Sequence, residues 1–275
     1  MNLLSHLATA GCRPTSPPAS LATADTALGL PRQRLLARAL LQAQRGAEST
    51  QALRLDLPPP GEVRIRNLVH RGAPRPVFKT TSVKLGRVVQ CESALEHEAA
   101  LLLDVSPVVQ AFAEQPVRIH YTVEDGWRSH IPDFAVVVAD RLTFVEIKFE
   151  KDVDAEVRER TRYLEGQLEA LGADYCLLTD RHLRQGDYIQ NALRVLRRAR
   201  HAISEVQLLA TLEKLRAVDR VPLAAFGWSV ADSQEAVGIA QLIMSGHAAI
   251  DTHGPLSDRT CVWLARDTAC AVGVA

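Results

Sequence analysis

Between residues 108 and 149 the apolar side chains fall into a period of two, and helical patterns flank that stretch on both sides; no other feature narrows the choice of fold as far. Segments 108–112, 117–123, 134–138 and 142–149 read as strands, with Glu124, Asp125 and Gly126 as a hairpin turn. Upstream, Ser93 followed by Glu96 is a capping-box signature that starts a helix running to about residue 103. Downstream, 152–171 has the period of a long helix and leads into a short strand over 175–179. Helix, strands, helix, strand and helix in that order predict an α/β domain built on a mixed sheet.

The remainder divides around that block. Residues 1–60 read as a flexible extension: 1–30 is rich in Ala, Thr, Ser and Pro, a helix over 31–44 carries Leu35, Leu36, Leu40 and Leu41, and Pro58, Pro59, Pro60 and Gly61 form a stiff linker. Residues 61–201 hold the main domain. In 202–275, helices over 205–217 and 233–245 precede two short strands near 246–251 and 260–264, the pattern of a small winged-helix-like module. Its second helix contains Glu235 and no lysine or arginine, so protein contact is as open a reading as entry into a DNA groove. His247 and His253 read as loop histidines, since no metal-ligating partner stands at a suitable spacing. No apolar run reaches the roughly 20 residues of a membrane-spanning helix. Five cysteines, none at a metal-ligand spacing, fit a soluble protein of the reducing cytoplasm.

A formal net charge of zero conceals three blocks of alternating sign. Residues 59–90 hold seven basic side chains and one acidic, 91–180 hold nineteen acidic and eight basic, and 181–220 hold nine basic and four acidic. An acidic centre between basic rims suits a protein that grips a polyanion and gathers divalent cations at its middle. Lys84, Arg87, Arg194, Arg197 and Arg198 are the candidate DNA-binding residues.

The chemistry lies on the strands. Along 144–149, Val145, Ile147 and Phe149 face one way while Glu146 and Lys148 share the other. If the strands at 134–138 and 142–149 pair antiparallel around Asp140 and Arg141, Asp133 comes to lie beside Glu146. Two converging carboxylates repel unless a cation sits between them, and all-oxygen ligation selects Mg²⁺ or Mn²⁺. Lys148 then offers a fixed positive charge to a phosphate or orients an attacking water. Glu96 either joins the acids or only completes the cap with Ser93, in which case Glu92 is the alternative acid. Asp133, Glu146 and Lys148 reproduce the spacing of the PD-(D/E)xK nucleases, with an acidic helix upstream.

Around these residues the chain resembles the TnsA-type endonucleases of heteromeric transposases. The resemblance runs over roughly 70–200, through Lys84-Leu85-Gly86-Arg87, Glu92-Ser93-Ala94-Leu95-Glu96, Leu103-Asp104-Val105-Ser106-Pro107, Glu114-Gln115-Pro116-Val117, Ile131-Pro132-Asp133-Phe134, Val145-Glu146-Ile147-Lys148 and Leu178-Thr179-Asp180. It implies a restriction-endonuclease-like mixed sheet flanked by helices, with Glu96, Asp133 and Glu146 as metal ligands and Lys148 completing the catalytic set. Some members carry glutamine where this chain has Glu146. The long N-terminal extension departs from the family pattern. The resemblance further implies cleavage of double-stranded DNA at transposon ends, beside a DDE-type transposase and under an AAA+ ATPase regulator. Two other functions fit the residues: a restriction or repair nuclease of the same superfamily that works alone, and a non-catalytic DNA- or partner-binding subunit.

Overall fold

The computed structural model describes residues 29–59, 61–66 and 77–265. The lead-in over 1–28, Pro60, Arg71, Arg75, Cys12 and Cys270 lie outside them.

Helix α1 (Gly29–Glu48) precedes strand β1 (Leu53–Asp56), a hairpin of β2 (Phe78–Ser82) and β3 (Arg87–Cys91), and helix α2 (Ala94–Val105). Strands β4 (Val109–Glu114), β5 (Arg118–Val123), β6 (Gly126–His130), β7 (Phe134–Val138) and β8 (Arg141–Lys148) follow, then α3 (Ala155–Glu169) and β9 (Ala173–Thr179). After the short α4 (Asp180–Leu183) come α5 (Tyr188–Ala199), α6 (Glu205–Arg216), β10 (Arg220–Pro222), α7 (Gln234–Met244), β11 (Ala248–Ile250) and β12 (Cys261–Leu264).

The central sheet has the order β4-β7-β8-β9, antiparallel except for the parallel pair β8–β9 that α3 connects. It is α/β and mixed, as the periodicity predicts. Six of the eight residues of β8 are buried, because both faces of the sheet are covered. On one face Val145 and Ile147 meet Leu95, Ala99 and Leu103 of α2 and Val89 of β3. On the other, Leu142 and Phe144 meet Leu36 and Leu40 of α1, Leu164 and Leu168 of α3, and Leu53 and Leu55 of β1.

The second face revises the reading of the N-terminal region. Residues 29–56 are a packed layer and not part of an extension: α1 covers the sheet, and β1 pairs antiparallel with β5. That stretch holds a single proline, and Leu35, Leu36 and Leu40 supply the stripe that the sheet needs, while Leu41 stays exposed. The strand β6 and the β2–β3 hairpin are further additions to the sequence reading. β6 is exposed along most of its length, so it has no apolar alternation to betray it.

A third core joins Leu101 of α2 and Val195, Leu196 and Ala199 of α5 to Leu212, Leu215, Ile239, Leu242 and Val262 of the C-terminal elements. A line drawn after residue 201 therefore passes through shared packing. Where α6 crosses α7, a Cβ added at Gly238 would stand 2.5 Å from Thr211 Oγ1 and 3.0 Å from its Cβ. Gly238→Ala should destabilise the protein by about 1–3 kcal/mol despite alanine's better helix propensity, because overpacking outweighs it. A thermal melt with an unchanged or raised midpoint would contradict this.

Candidate functional site

The antiparallel register pairs Phe134 with Val145 and Val138 with Arg141, so Asp133 at the head of β7 lies across from Glu146 on β8. Pro132 lacks an N–H and sits just before the strand, where none is needed. The Asp133 carboxylate accepts the main-chain N–H of Ile147 at Oδ2 (2.7 Å). Burial pushes Asp133 well above the usual aspartate range, and the charges of Glu146 and Glu96 push it further.

Glu146 is 3% exposed. Its Oε1 lies 3.0 Å from Lys148 Nζ and 3.4 Å from an Arg160 guanidinium nitrogen. His130 Nε2 comes within 2.9 Å of Oε2 and within 3.0 Å of Tyr175 Oη. The buried Oε2 thus faces the His130 ring nitrogen. Burial acts to raise the Glu146 carboxyl, but the His130 ring and the Lys148 ammonium outweigh it and hold the group below the ordinary glutamate value. Burial, reinforced by the Glu146 charge, also drives the Tyr175 phenol well above its usual range.

Glu96 comes from the helix on the other face of the sheet. The pleat puts Glu146 on the α3 side of the sheet, with Phe144, whereas α2 packs on the side of Val145. At the first turn of α2, Glu96 accepts the Ser93 hydroxyl (2.9 Å) and the Glu92 N–H (2.9 Å), while its own N–H donates to Ser93 Oγ (3.1 Å). It is thus a capping residue in this conformation. Burial nevertheless raises its carboxyl, with the Glu92 and Glu146 charges contributing, so it shares the acid field of the site. Glu92 pairs with Arg66.

Asp133, Glu146 and Lys148 are therefore brought together, while Glu96 is engaged in its cap and reaches the two acids through its charge. Among the described residues no three His, Cys, Asp or Glu side chains form a group that could hold a metal ion. Mg²⁺ does not require one, since one or two carboxylates, waters and substrate phosphate commonly complete its shell. The donor set is all oxygen, and the excess of negative charge that burdens the buried Asp133 is what a dication relieves. The pair fits such an ion.

Sequence reading missed His130, Arg160 and Tyr175. Arg160 left a trace: it stands three residues after Val157 and four before Leu164, on the buried side of α3, where an arginine needs an anion. His130 left none, because β6 shows no pattern.

The predicted DNA-binding residues fare unevenly. Lys84 cannot reach a phosphate, being buried with Nζ donating to the main-chain oxygens of Val109 (2.8 Å) and Ser106. Arg198 is also unavailable: it is 9% exposed, stacks 3.8 Å from the Trp228 ring centroid and donates to Trp228 O and Arg194 O. Arg87 is engaged bidentately by Glu114 (2.9 and 2.8 Å), and Arg194 donates to Leu256 O (2.7 Å). Arg197 is exposed. All but Arg197 are thus committed to the protein's own oxygens or rings, since arginines near apolar surface find internal acceptors first.

In the C-terminal part, α7 is buried at every residue from Ala236 to Ala240 and from Leu242 to Met244, which leaves no face for a DNA groove. The loop before β12 is fastened to α5 as well, with Asn191 bonding Leu256 N (2.8 Å) and Gly254 O (2.9 Å).

Residues 106–180 match the family model described as TnsA-like endonuclease N terminal. The matched stretch contains Asp133, Glu146 and Lys148 and stops short of Glu96 and of everything after α4 begins. No curated protein matches the chain. Among solved structures, protein VC1899 from Vibrio cholerae is similar at 12% identity and a TM-score of 0.24, over 80% of this chain and 53% of that one. The chain thus spans about half the length of that protein, and a likeness this slight carries no argument.

Proposed function

We propose that this chain, whose residues 106–180 match the TnsA-like endonuclease N-terminal model, is a Mg²⁺-dependent DNA endonuclease that serves as one subunit of a heteromeric transposase. The observation that carries the reading is the adjacency of Asp133 and Glu146 across β7 and β8, with Lys148 Nζ 3.0 Å from Glu146. Asp133 and Glu146 are the residues to hold the metal, which Mn²⁺ can replace. When bound, such an ion neutralises phosphate charge and lowers the pKa of water.

The side chains supply the rest. His130 and Lys148 hold the Glu146 carboxyl below its ordinary value, which favours the ionised form before substrate arrives, and Arg160 adds a second ion pair. The Ile147 N–H fixes the Asp133 carboxylate. Lys148, about one third exposed at its side chain, is positioned to stabilise charge that develops on the attacked phosphate. Glu96 enters the metal shell only if its cap opens. The supporting fold reading is a restriction-endonuclease-like sheet carrying a C-terminal module whose sheet order β10-β12-β11 and helix order suit a winged helix. With α7 and the loop before β12 packed inward, that module suits contact with protein better than the reading of DNA. The DNA ends of a transposon, a DDE-type transposase and an AAA+ regulator are the partners this reading expects.

One observation favours the non-catalytic alternative: Glu146 is already satisfied in part by two cations. Titration calorimetry with Mn²⁺ decides between them. Binding in the parent that is lost in both Asp133→Ala and Glu146→Ala supports the nuclease, whereas no binding, or binding indifferent to the two changes, turns the reading to a binding subunit.

A further inference from the structure

β6 is the outer strand of the small sheet β1-β5-β6, and it runs directly into the site, since Pro132 and Asp133 follow its last residue by two and three positions. Its register with β5 pairs Thr122 with Trp127 and His120 with Ser129. Trp127 and Ser129 thus share a face with Arg118 and His120, while His130 turns to the opposite face and Glu146. Trp127 is 58% exposed, which is a large apolar ring to leave in water. The Arg118 side chain makes no hydrogen bond or ion pair among the described residues. Asp56 stands opposite it in register but bonds His120 (2.7 Å) and Arg54 (3.0 Å) instead. Arg118 and Ser129 line an open recess of about 290 Å³ together with Arg66, His130 and Asp133.

An unpaired guanidinium at the mouth of an acid site, with a hydroxyl beside it and an exposed indole further out, is a graded path for a nucleic-acid strand. Arg118 and Ser129 can take a phosphate, and Trp127 stands about 7 Å beyond Ser129 along the strand, roughly two nucleotide rises of B-DNA. Resting on the nuclease reading, we propose that the outer face of β5 and β6 is where the DNA strand leaves the active site, with Arg118 on a backbone phosphate and Trp127 against a sugar or base. Arg54 on the same face is excluded, because Asp56 already holds it.

The test is binding of a duplex oligonucleotide of arbitrary sequence in EDTA, where no cleavage interferes, read by tryptophan emission and by the salt dependence of affinity. Of the three tryptophans, Trp228 is buried and Trp263 lies in β12. DNA should quench the parent's emission, and Trp127→Phe should remove most of that quench. Arg118→Ala should reduce the slope of log affinity against log salt by about one and weaken binding across sequences, while Arg54→Ala leaves the slope alone. A quench that survives Trp127→Phe, or a slope that Arg118→Ala does not change, overturns the proposal. Plasmid cleavage by the parent and by Asp133→Ala, measured separately, isolates the nuclease reading: binding with these signatures but no cleavage defeats that reading and leaves the surface standing. Cleavage with neither signature defeats the surface alone, and no binding at all defeats the surface outright.

Discussion

Asp133→Asn and Glu146→Gln should each lower Mn²⁺-supported cleavage at least about 10³-fold, equivalent to about 4 kcal/mol of barrier, yet shift stability in opposite directions. Both changes preserve shape and remove a charge. At Asp133 the charge is a burden, because burial and the neighbouring Glu146 and Glu96 carboxylates all oppose ionisation. Asparagine still accepts from Ile147 N–H, so the metal-free variant should gain about 1 kcal/mol. At Glu146 the charge is compensated by Lys148, Arg160 and His130, and its loss leaves partly buried cations without an anion. That costs about 3 kcal/mol. Chemical denaturation in EDTA beside plasmid nicking with Mn²⁺ checks both halves. Two variants that are destabilised alike and still cut DNA would show the acids to be merely structural.

Lys84→Met should cost about 2–4 kcal/mol at pH 8 while leaving cleavage by the folded enzyme intact. The ammonium donates to Ser106 O and Val109 O behind a turn whose main-chain N–H groups at Val83 and Lys84 are held by Asp104 (2.9 and 2.8 Å). Methionine fills the volume but orphans two buried carbonyls, each worth about 1–3 kcal/mol. Burial, with the Arg32 charge adding to it and Asp104 opposing, pulls the Lys84 value down to about 7. Between that value and the ordinary one near 10.5, the unfolded chain binds a proton that the folded chain lacks. Stability should therefore rise with pH across this window, at up to about 1.4 kcal/mol per unit, and that component should be missing in Lys84→Met. Parallel slopes for the two proteins from pH 7 to 9 would exclude it.

Period and spacing made the middle of the molecule legible. The strand over 134–138, the helix capped by Ser93 and the meeting of Asp133 with Glu146 follow from alternation, a cap motif and one antiparallel pairing. What stayed hidden depended on contacts that no local pattern encodes. Arg160 and His130 reach Glu146 from elements 14 and 16 residues away in opposite directions along the chain. Lys84 and Arg198 sit in basic runs that look solvated until three dimensions supply carbonyls and a Trp228 ring for them. For Glu96 the sequence leaves cap and ligand open, and the cap prevails in this conformation because the Ser93 hydroxyl and the Glu92 N–H take its carboxylate.

The layering also bears on what counts as a unit. Within 106–180, the strands that carry Asp133, Glu146 and Lys148 take one cover from Leu36, Leu40, Leu53 and Leu55 and the other from Leu85, Val89, Leu95 and Leu103, all encoded upstream of the matched stretch. A gene fragment cut to the family boundaries would therefore expose both sides of its sheet to water and to its own copies. The smallest piece that could be expressed or transplanted with both covers in place therefore begins near residue 29, well upstream of the matched stretch.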